Sequence, residues 1–513
     1  MKVKNGIRYE KNGWIYISIK GSPKERGYAH GYLAVKELKE AFRMLDFTFY
    51  EGYGYKREMF SEITSELFGP IIQANYPEFY EEMEGVTAGA KAAGFKEITL
   101  ADIIMWNCQT SIDSFWGQLP ELIKTNEKLL AKYSETFKEG SGSSGHGEGG
   151  SGYIMNGNGN SLKVGGDKCT GFIVVGSYTK DGKIVCGHNS FDNFISGQNF
   201  NIILDVNPSK GSRFLMQCAA GYISSQTDYY VTSTGLIITE TTIGGFNKFV
   251  LKDPICCRIR QAVQYSKTLD DVVKHLTHNN SGDYANSWLV GDTRTNTIMR
   301  IELGLEYVNV EKKKDGYFIG FNAPYDPRIR NLECSNTGFD DLRRHQGARK
   351  VRLEQLMEEH KGKINIQVGQ EIMADHYDVY LNKINPSSRT CCSHYELDDR
   401  AFLSDPTRPK PYQPRGAVDG IVCDTTLAKK IAFCARWGTS CGIPFNKTEF
   451  CKQNIIWKDQ EPYLHDRLQQ PWTEFSVHRG HAPSPPLKSK NTVKKKEEKV
   501  MQLKKTKKAP IKM

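Results

Sequence analysis

The chain has 513 residues, 39% hydrophobic and 25% charged, the balance of a globular protein long enough to bury one large core or two to three smaller ones. Its formal net charge of +10 is local: residues 481–513 hold eleven Lys and two Glu, 11 − 2 = +9, so a basic surface on the folded body is not implied. No stretch approaches the ~20 apolar residues of a membrane-spanning helix, and thirteen cysteines without a single CxxC pair do not read as a disulfide scaffold or a zinc ribbon.

The opening, MKVKNGIRYEKNGWIYISIKG, lacks the apolar stretch of a secretory signal, so an intracellular location is expected, with secretion or a lysosomal destination left open. Apolar and polar residues alternate on either side of Asn12-Gly13, which predicts a hairpin. Helical periodicity follows over residues 29–47, 56–76, 77–94, 99–113 and 120–139. Residues 140–167 are dominated by Gly, Ser and Asn and read as a flexible linker.

Strand patterns begin immediately afterwards. CTGFIVVGSY and KIVCGHNS flank the turn Lys180-Asp181-Gly182, a second hairpin. Strands over 200–206, 212–220 and 233–243 come next, then one helix over 253–279, then strands 285–292 and 297–304 joined by a turn at Asn296. Helical patterns at 339–362 and 367–381 precede the last segment, 416–438. Runs of strands broken by helices predict an α+β protein with an antiparallel sheet. The boundaries divide the chain into a helical segment (1–138), a linker (139–168), a core (169–478) and a basic tail (479–513). That tail reads as a solvated terminus or, alternatively, as an arm for nucleic acid or an anionic membrane.

Cys169 opens the first core strand directly after the linker. Its bland reading is a small apolar residue packed at a strand start. The chemical reading is that scission between Lys168 and Cys169 frees an α-amine beside the thiol. With reference pKa values of about 7.7–8.0 for the amine and about 8.5 for the thiol, one residue then supplies both base and nucleophile. Adjacent pairs Cys256-Cys257 and Cys391-Cys392 are poorly placed for a four-ligand zinc site, so mostly reduced, buried thiols and no metal are expected, with a disulfide or two left open.

The run CTGFIVVGSYTKDGKIVCGHNSFDNF resembles the nucleophile hairpin of cysteine N-terminal-nucleophile (Ntn) hydrolases, above all the phospholipase B-like proteins and the acyl-coenzyme A:6-aminopenicillanate acyltransferase family. GSPKERGYAHGYLA, TSTGLIITETTI, DYANSWLVGD, SSRTCCSHYELDD and GAVDGIVCDTTLA resemble further segments of these families in the right order.

The resemblance implies a four-layer αββα sandwich of antiparallel sheets and acyl transfer through a thioester, without metal or organic cofactor. It makes Cys169 the nucleophile and Lys168-Cys169 the scissile bond. His188 is implied to tune the thiol or position substrate, and Asn189 to hold the amine or the turn. Asp192 is the candidate to orient the α-amine, Thr242 to contact the oxyanion or substrate, and Asn286 to donate to the oxyanion. Phe191, Arg258 and Arg260 are candidates for contacting substrate, the arginines alternatively being salt-bridged surface residues. Strand alternation would aim Phe191 and Asp192 at opposite faces. The expected substrate is a small-molecule or lipid acyl amide or ester, with the cleaved fragments staying associated. The alternatives are a phospholipase B-like lipid hydrolase and a catalytically degenerate fold used for binding.

Overall fold

The computed structural model describes residues 1–137, 169–335, 337–400 and 411–478. The Gly-rich linker, Lys168 and the tail from residue 479 onward lie outside the described residues. Both predicted hairpins form. Gly6–Lys11 pairs with Trp14–Gly21 through the left-handed Asn12-Gly13 turn, and Cys169–Val175 pairs with Val185–Asn193, with Cys169 opposite Ser190 and Gly171 opposite His188.

The architecture is mixed α+β and its sheets are mainly antiparallel. A ten-stranded sheet runs Lys2–Val3, Gly6–Lys11, Trp14–Gly21, Ile202–Pro208, Phe214–Cys218, Tyr230–Thr232, Leu236–Thr242, Asn286–Asp292, Thr297–Leu303, Val308–Lys313. The N-terminal hairpin enters it through a parallel pairing of Ile15–Gly21 with Ile202–Pro208. A seven-stranded sheet runs Gly316–Gly320, Cys169–Val175, Val185–Asn193, Asp419–Asp424, Ala432–Trp437, Thr473–Ser476, with Arg415–Ala417 paired to the Asn193 end of its third strand. The two inner faces share a core of Tyr16, Ile173, Cys186, Leu215, Ile237 and Phe433. The outer face of the larger sheet packs on the N-terminal helices through Ile17, Leu204, Met216 and Trp288. Phe172, Val174 and Val422 on the other sheet meet Leu353, Leu356 and Ile372 of the helices His345–Glu359 and Ile366–Met373.

Several expected helices are shorter than periodicity suggested, because local caps divide them. The expected helix over 253–279 is two, Ile255–Tyr265 and Leu269–Thr277. Ser266 is extended, and Thr268 starts the second helix with a capping box to Asp271. Asn126 likewise splits 120–139, capping Glu127–Tyr133 through the Leu129 amide. The strands Val308–Lys313 and Gly316–Gly320 were not anticipated; the second forms the edge beside the Cys169 strand.

The glycines of GSPKERGYAHGYLA have a packing role. Helices Pro23–Leu33 and Pro77–Ala92 cross so closely that a Cβ on Gly27 would lie 2.1 Å from the Glu82 carbonyl oxygen, and one on Gly31 2.0 Å from that of Val86. Beside this crossing, Glu82 accepts from Arg26 Nε (2.6 Å) and from Arg260 Nη2 (2.9 Å), all three side chains being buried. This network joins the N-terminal helices to the helix Ile255–Tyr265.

Candidate active site

Cys169 stands at the head of its strand, 2% exposed. Its sulfur lies 3.7 Å from Glu240 Oε1, and its backbone N–H donates to Asn322 Oδ1 at 3.4 Å. The strand head is held from behind by Arg349 of the helix His345–Glu359. That guanidinium donates to the Cys169 carbonyl, to Thr170 Oγ1 at 2.9 Å and to Asn322 Oδ1 at 2.8 Å. Asn322, just past the edge strand Gly316–Gly320, is left-handed (φ 68°) and donates its amide to the Thr242 carbonyl at 2.8 Å.

Glu240 organises the other side. It is fully buried, and a buried carboxylate is tolerated only when its oxygens are paired. Oε1 receives the Tyr284 hydroxyl at 3.1 Å. Oε2 receives the Asn286 amide at 3.0 Å, in the orientation where the amide nitrogen faces acceptors; the same nitrogen donates to the Ala285 carbonyl at 2.7 Å. The Tyr284 hydroxyl also reaches Asp228 Oδ2 (3.1 Å) and accepts from Thr242 Oγ1 (3.0 Å). Burial and the two neighbouring carboxylates raise the Tyr284 pKa well above that of an ordinary phenol, so its hydroxyl stays protonated as a donor. Thr242 and Asn286 are directly paired in the sheet, which is why both reach one carboxylate-centred cluster. A small cavity lined by Asn107, Ser225, Gln226, Asp228, Ile255 and Ile259 borders Tyr284.

Of the sequence-derived candidates, Cys169, Thr242 and Asn286 therefore converge. His188 lies two pairs further along the hairpin, its ring against the position of Gly171 and 6.2 Å from the Tyr229 ring. Burial drops its pKa to about 3, so the imidazole is neutral. Asn189 faces the other side of the sheet, where its amide donates to the Met373 (2.7 Å) and Cys391 (3.0 Å) carbonyls; it secures that loop. Phe191 and Asp192 do part to opposite faces. Phe191 packs with Cys392 and Ala417 under Arg349, whereas the Asp192 carboxylate accepts from the Asn193 N–H and lies 3.9 Å from Arg415.

The arginines are not surface residues. Arg258 donates to Asp283 (2.7 Å) and to the Leu276 and Asp253 carbonyls. Arg260 is occupied by Glu82, Gln264 and the Ile223 carbonyl. With both guanidinium groups consumed inside the core, neither is left to anchor an anionic substrate. Sequence reasoning missed Glu240, Tyr284, Asn322 and Arg349. An acidic residue inside the apolar strand LIITETT was the available signal for Glu240, because such a group needs partners.

A family model described as Phospholipase B matches residues 53–483. The chain is 24% identical over 276 residues to phospholipase B of Crotalus adamanteus, 47% of this chain and 47% of the snake protein. It is 30% identical over 151 residues to phospholipase B-like 1 of Homo sapiens, 26% of this chain and 27% of the human protein. With an uncharacterized protein of Archaeoglobus fulgidus it shares 21% identity over 277 residues, 53% of this chain and 40% of the archaeal protein. The matched stretches thus span less than half the length of these relatives.

Proposed function

This chain belongs to the phospholipase B family, and on that premise we propose that it is an acyl hydrolase whose nucleophile is Cys169, acting on a lipid-like or small N-acyl substrate after scission between Lys168 and Cys169. The observation that carries the reading is the approach of the Cys169 sulfur, at a strand head, to Glu240 Oε1, with Asn286 on the other oxygen of the same carboxylate. The packing order of helices, sheet, sheet and helices favours the four-layer αββα Ntn-hydrolase fold as its scaffold, with 1–138 as pro-segment, 139–168 as linker and 169–478 as catalytic core.

In the uncut chain no α-amine exists at Cys169, and Glu240 is the base placed to take the thiol proton. The sulfur attacks the carbonyl carbon of residue 168, the C–N bond to Cys169 breaks as its nitrogen is protonated, and water hydrolyses the resulting thioester. In the mature enzyme the freed amine takes over as base. The thiolate attacks the acyl carbonyl, the protonated leaving group departs, and water releases the acyl group. An Asn286 N–H turned from Glu240 onto the oxyanion would contribute about 2.7–4 kcal/mol. Arg349 and Asn322 position the strand head throughout, and His188 stays a neutral side chain on the hairpin's second strand.

N-terminal sequencing with intact mass tests this reading. The expected result is two fragments, the larger beginning CTGFIVVG, with Cys169→Ala remaining one chain; a fully active uncut protein would overturn it. Parallel assays with lysophospholipid and N-acyl amide substrates then assign ester or amide preference.

A further inference from the structure

Outside the candidate active site, three loops bring four soft or borderline ligands to one point. His376 follows the helix Ile366–Met373, Cys392 and His394 lie on the turn 387–394, and Cys441 lies on the loop after the strand Ala432–Trp437. One donor atom from each falls within 4.8 Å of all the others. We propose that His376, Cys392, His394 and Cys441 form a tetrahedral Zn²⁺ site that fixes these loops against the outer side of the Val185–Asn193 strand.

The distances fit such an ion. With Zn–S of about 2.3 Å and Zn–N of about 2.0–2.1 Å, a tetrahedron separates sulfur from nitrogen by about 3.5 Å. His394 Nε2 is 3.4 Å from Cys392 Sγ and 3.4 Å from Cys441 Sγ. Two sulfurs on one imidazole nitrogen exceed what a single thiol–imidazole pair requires. The outer partner is present as well: Glu396 Oε1 lies 2.8 Å from His394 Nδ1. A proton on Nδ1 leaves the Nε2 lone pair directed at the sulfurs, as a carboxylate does for a zinc-bound histidine. His376 brings a second imidazole to the cluster, its ring 5.0 Å from that of His394 and its Nε2 buried. Two thiolates and two imidazoles suit Zn²⁺ over the hard, oxygen-seeking cations. Loading releases the two thiol protons to solvent and involves no change of oxidation state.

The loops are already tied to one another. Cys392 N–H donates to the Asp375 carbonyl (3.1 Å), Ser440 Oγ donates to the Met373 carbonyl (2.7 Å), and Asn189 bonds the Met373 and Cys391 carbonyls. Phe191 packs against Cys392 and Cys441. A metal here would stiffen the strand that pairs with the Cys169 strand while standing apart from the nucleophile.

The test is elemental analysis of the full chain expressed with Zn²⁺, with X-ray absorption at the zinc edge on the unmutated protein. One Zn²⁺ per chain with a two-sulfur, two-nitrogen shell is expected, and Co²⁺ substitution should give the intense visible bands of a tetrahedral thiolate site. Cys392→Ser with Cys441→Ser should reduce the metal to background, whereas Cys169→Ala should retain it. Metal-free protein carrying a Cys392–Cys441 disulfide would overturn the proposal, as would metal that survives the double substitution or an oxygen-dominated shell. The unmutated-protein measurements decide the matter even if the double variant does not fold, and all readouts are independent of whether Cys169 is cut free.

Discussion

Replacing Glu240 by Gln isolates the chemistry assigned to its carboxylate. The side chain keeps its shape, and its amide oxygen still accepts from one of the Tyr284 hydroxyl (3.1 Å) and the Asn286 amide (3.0 Å) while its NH2 faces the other; the base 3.7 Å from the Cys169 sulfur disappears. A positioned general base is worth roughly 10²–10⁴-fold, or about 2.7–5.5 kcal/mol in the barrier. Scission before Cys169, followed by denaturing gel and intact mass after purification at neutral pH, should slow by that factor. Raising the pH toward the thiol's ordinary pKa of about 8.5 supplies thiolate without a base, so the variant should recover as pH rises and the parent should change less. A variant cut at the parental rate, or a slowed variant indifferent to pH, refutes Glu240 as the proton acceptor.

Three further outcomes concern stability. Gly31→Ala would put a Cβ 2.0 Å from the Val86 carbonyl oxygen; pushing the two helices apart should cost roughly 1–3 kcal/mol or more in urea unfolding. Glu82→Gln removes the charge between buried Arg26 and Arg260, and breaking such a network costs on the order of 3–5 kcal/mol, read as a lowered unfolding midpoint. Burial holds His188 at a pKa of about 3 and His30 at about 4. The unfolded chain therefore binds more protons below about pH 6.5, and stability should fall as pH drops from there toward 4, by on the order of 3 kcal/mol for each ring. Asp419, raised to about 6 by burial, acts in the opposite sense over the same range and offsets part of the loss. Urea midpoints at pH 7 and pH 4 check this, and His188→Gln should flatten the dependence.

What the sequence made legible follows from how local each signal is. The Cys169 hairpin is readable because two apolar runs and the Asp181-Gly182 turn between them lie within one short stretch, and the Asn286 strand is readable because it too is a short apolar run beside a turn. The breaks at Thr268 and Asn126 were also local, but side-chain caps weigh against a continuing apolar period and were outvoted by it. The site was half legible: Cys169, Thr242 and Asn286 came from family resemblance, and two of them meet because Thr242 and Asn286 are paired neighbours. Arg349 and Asn322 could not be found that way. Each reaches Cys169 across more than 150 positions of chain, and nothing in HQGARK or FNAP marks which strand end will lie beneath them. The His376–Cys441 cluster escaped for a related reason: its ligands come from three loops, so the compact spacing that usually betrays zinc is missing.

Cutting before Cys169 would not by itself separate the two parts of the chain. Trp14–Gly21 lies within the larger sheet, hydrogen-bonded in parallel to Ile202–Pro208 on one side and to Gly6–Lys11 on the other. Its Ile17 and Ile19 share a core with Leu204, Met216 and Trp288 from beyond the cut. Arg26 and Glu82 meet Arg260 across the same boundary, so separation would expose a buried ion network as well as apolar surface. The cut protein should therefore elute as one species in native size exclusion and resolve into two only in denaturant, with both parts unfolding in a single transition. Spontaneous separation in native buffer would mean that strand pairing and the Glu82 network contribute far less than their burial implies, and that the N-terminal helices are a removable cover instead of a permanent part of the fold.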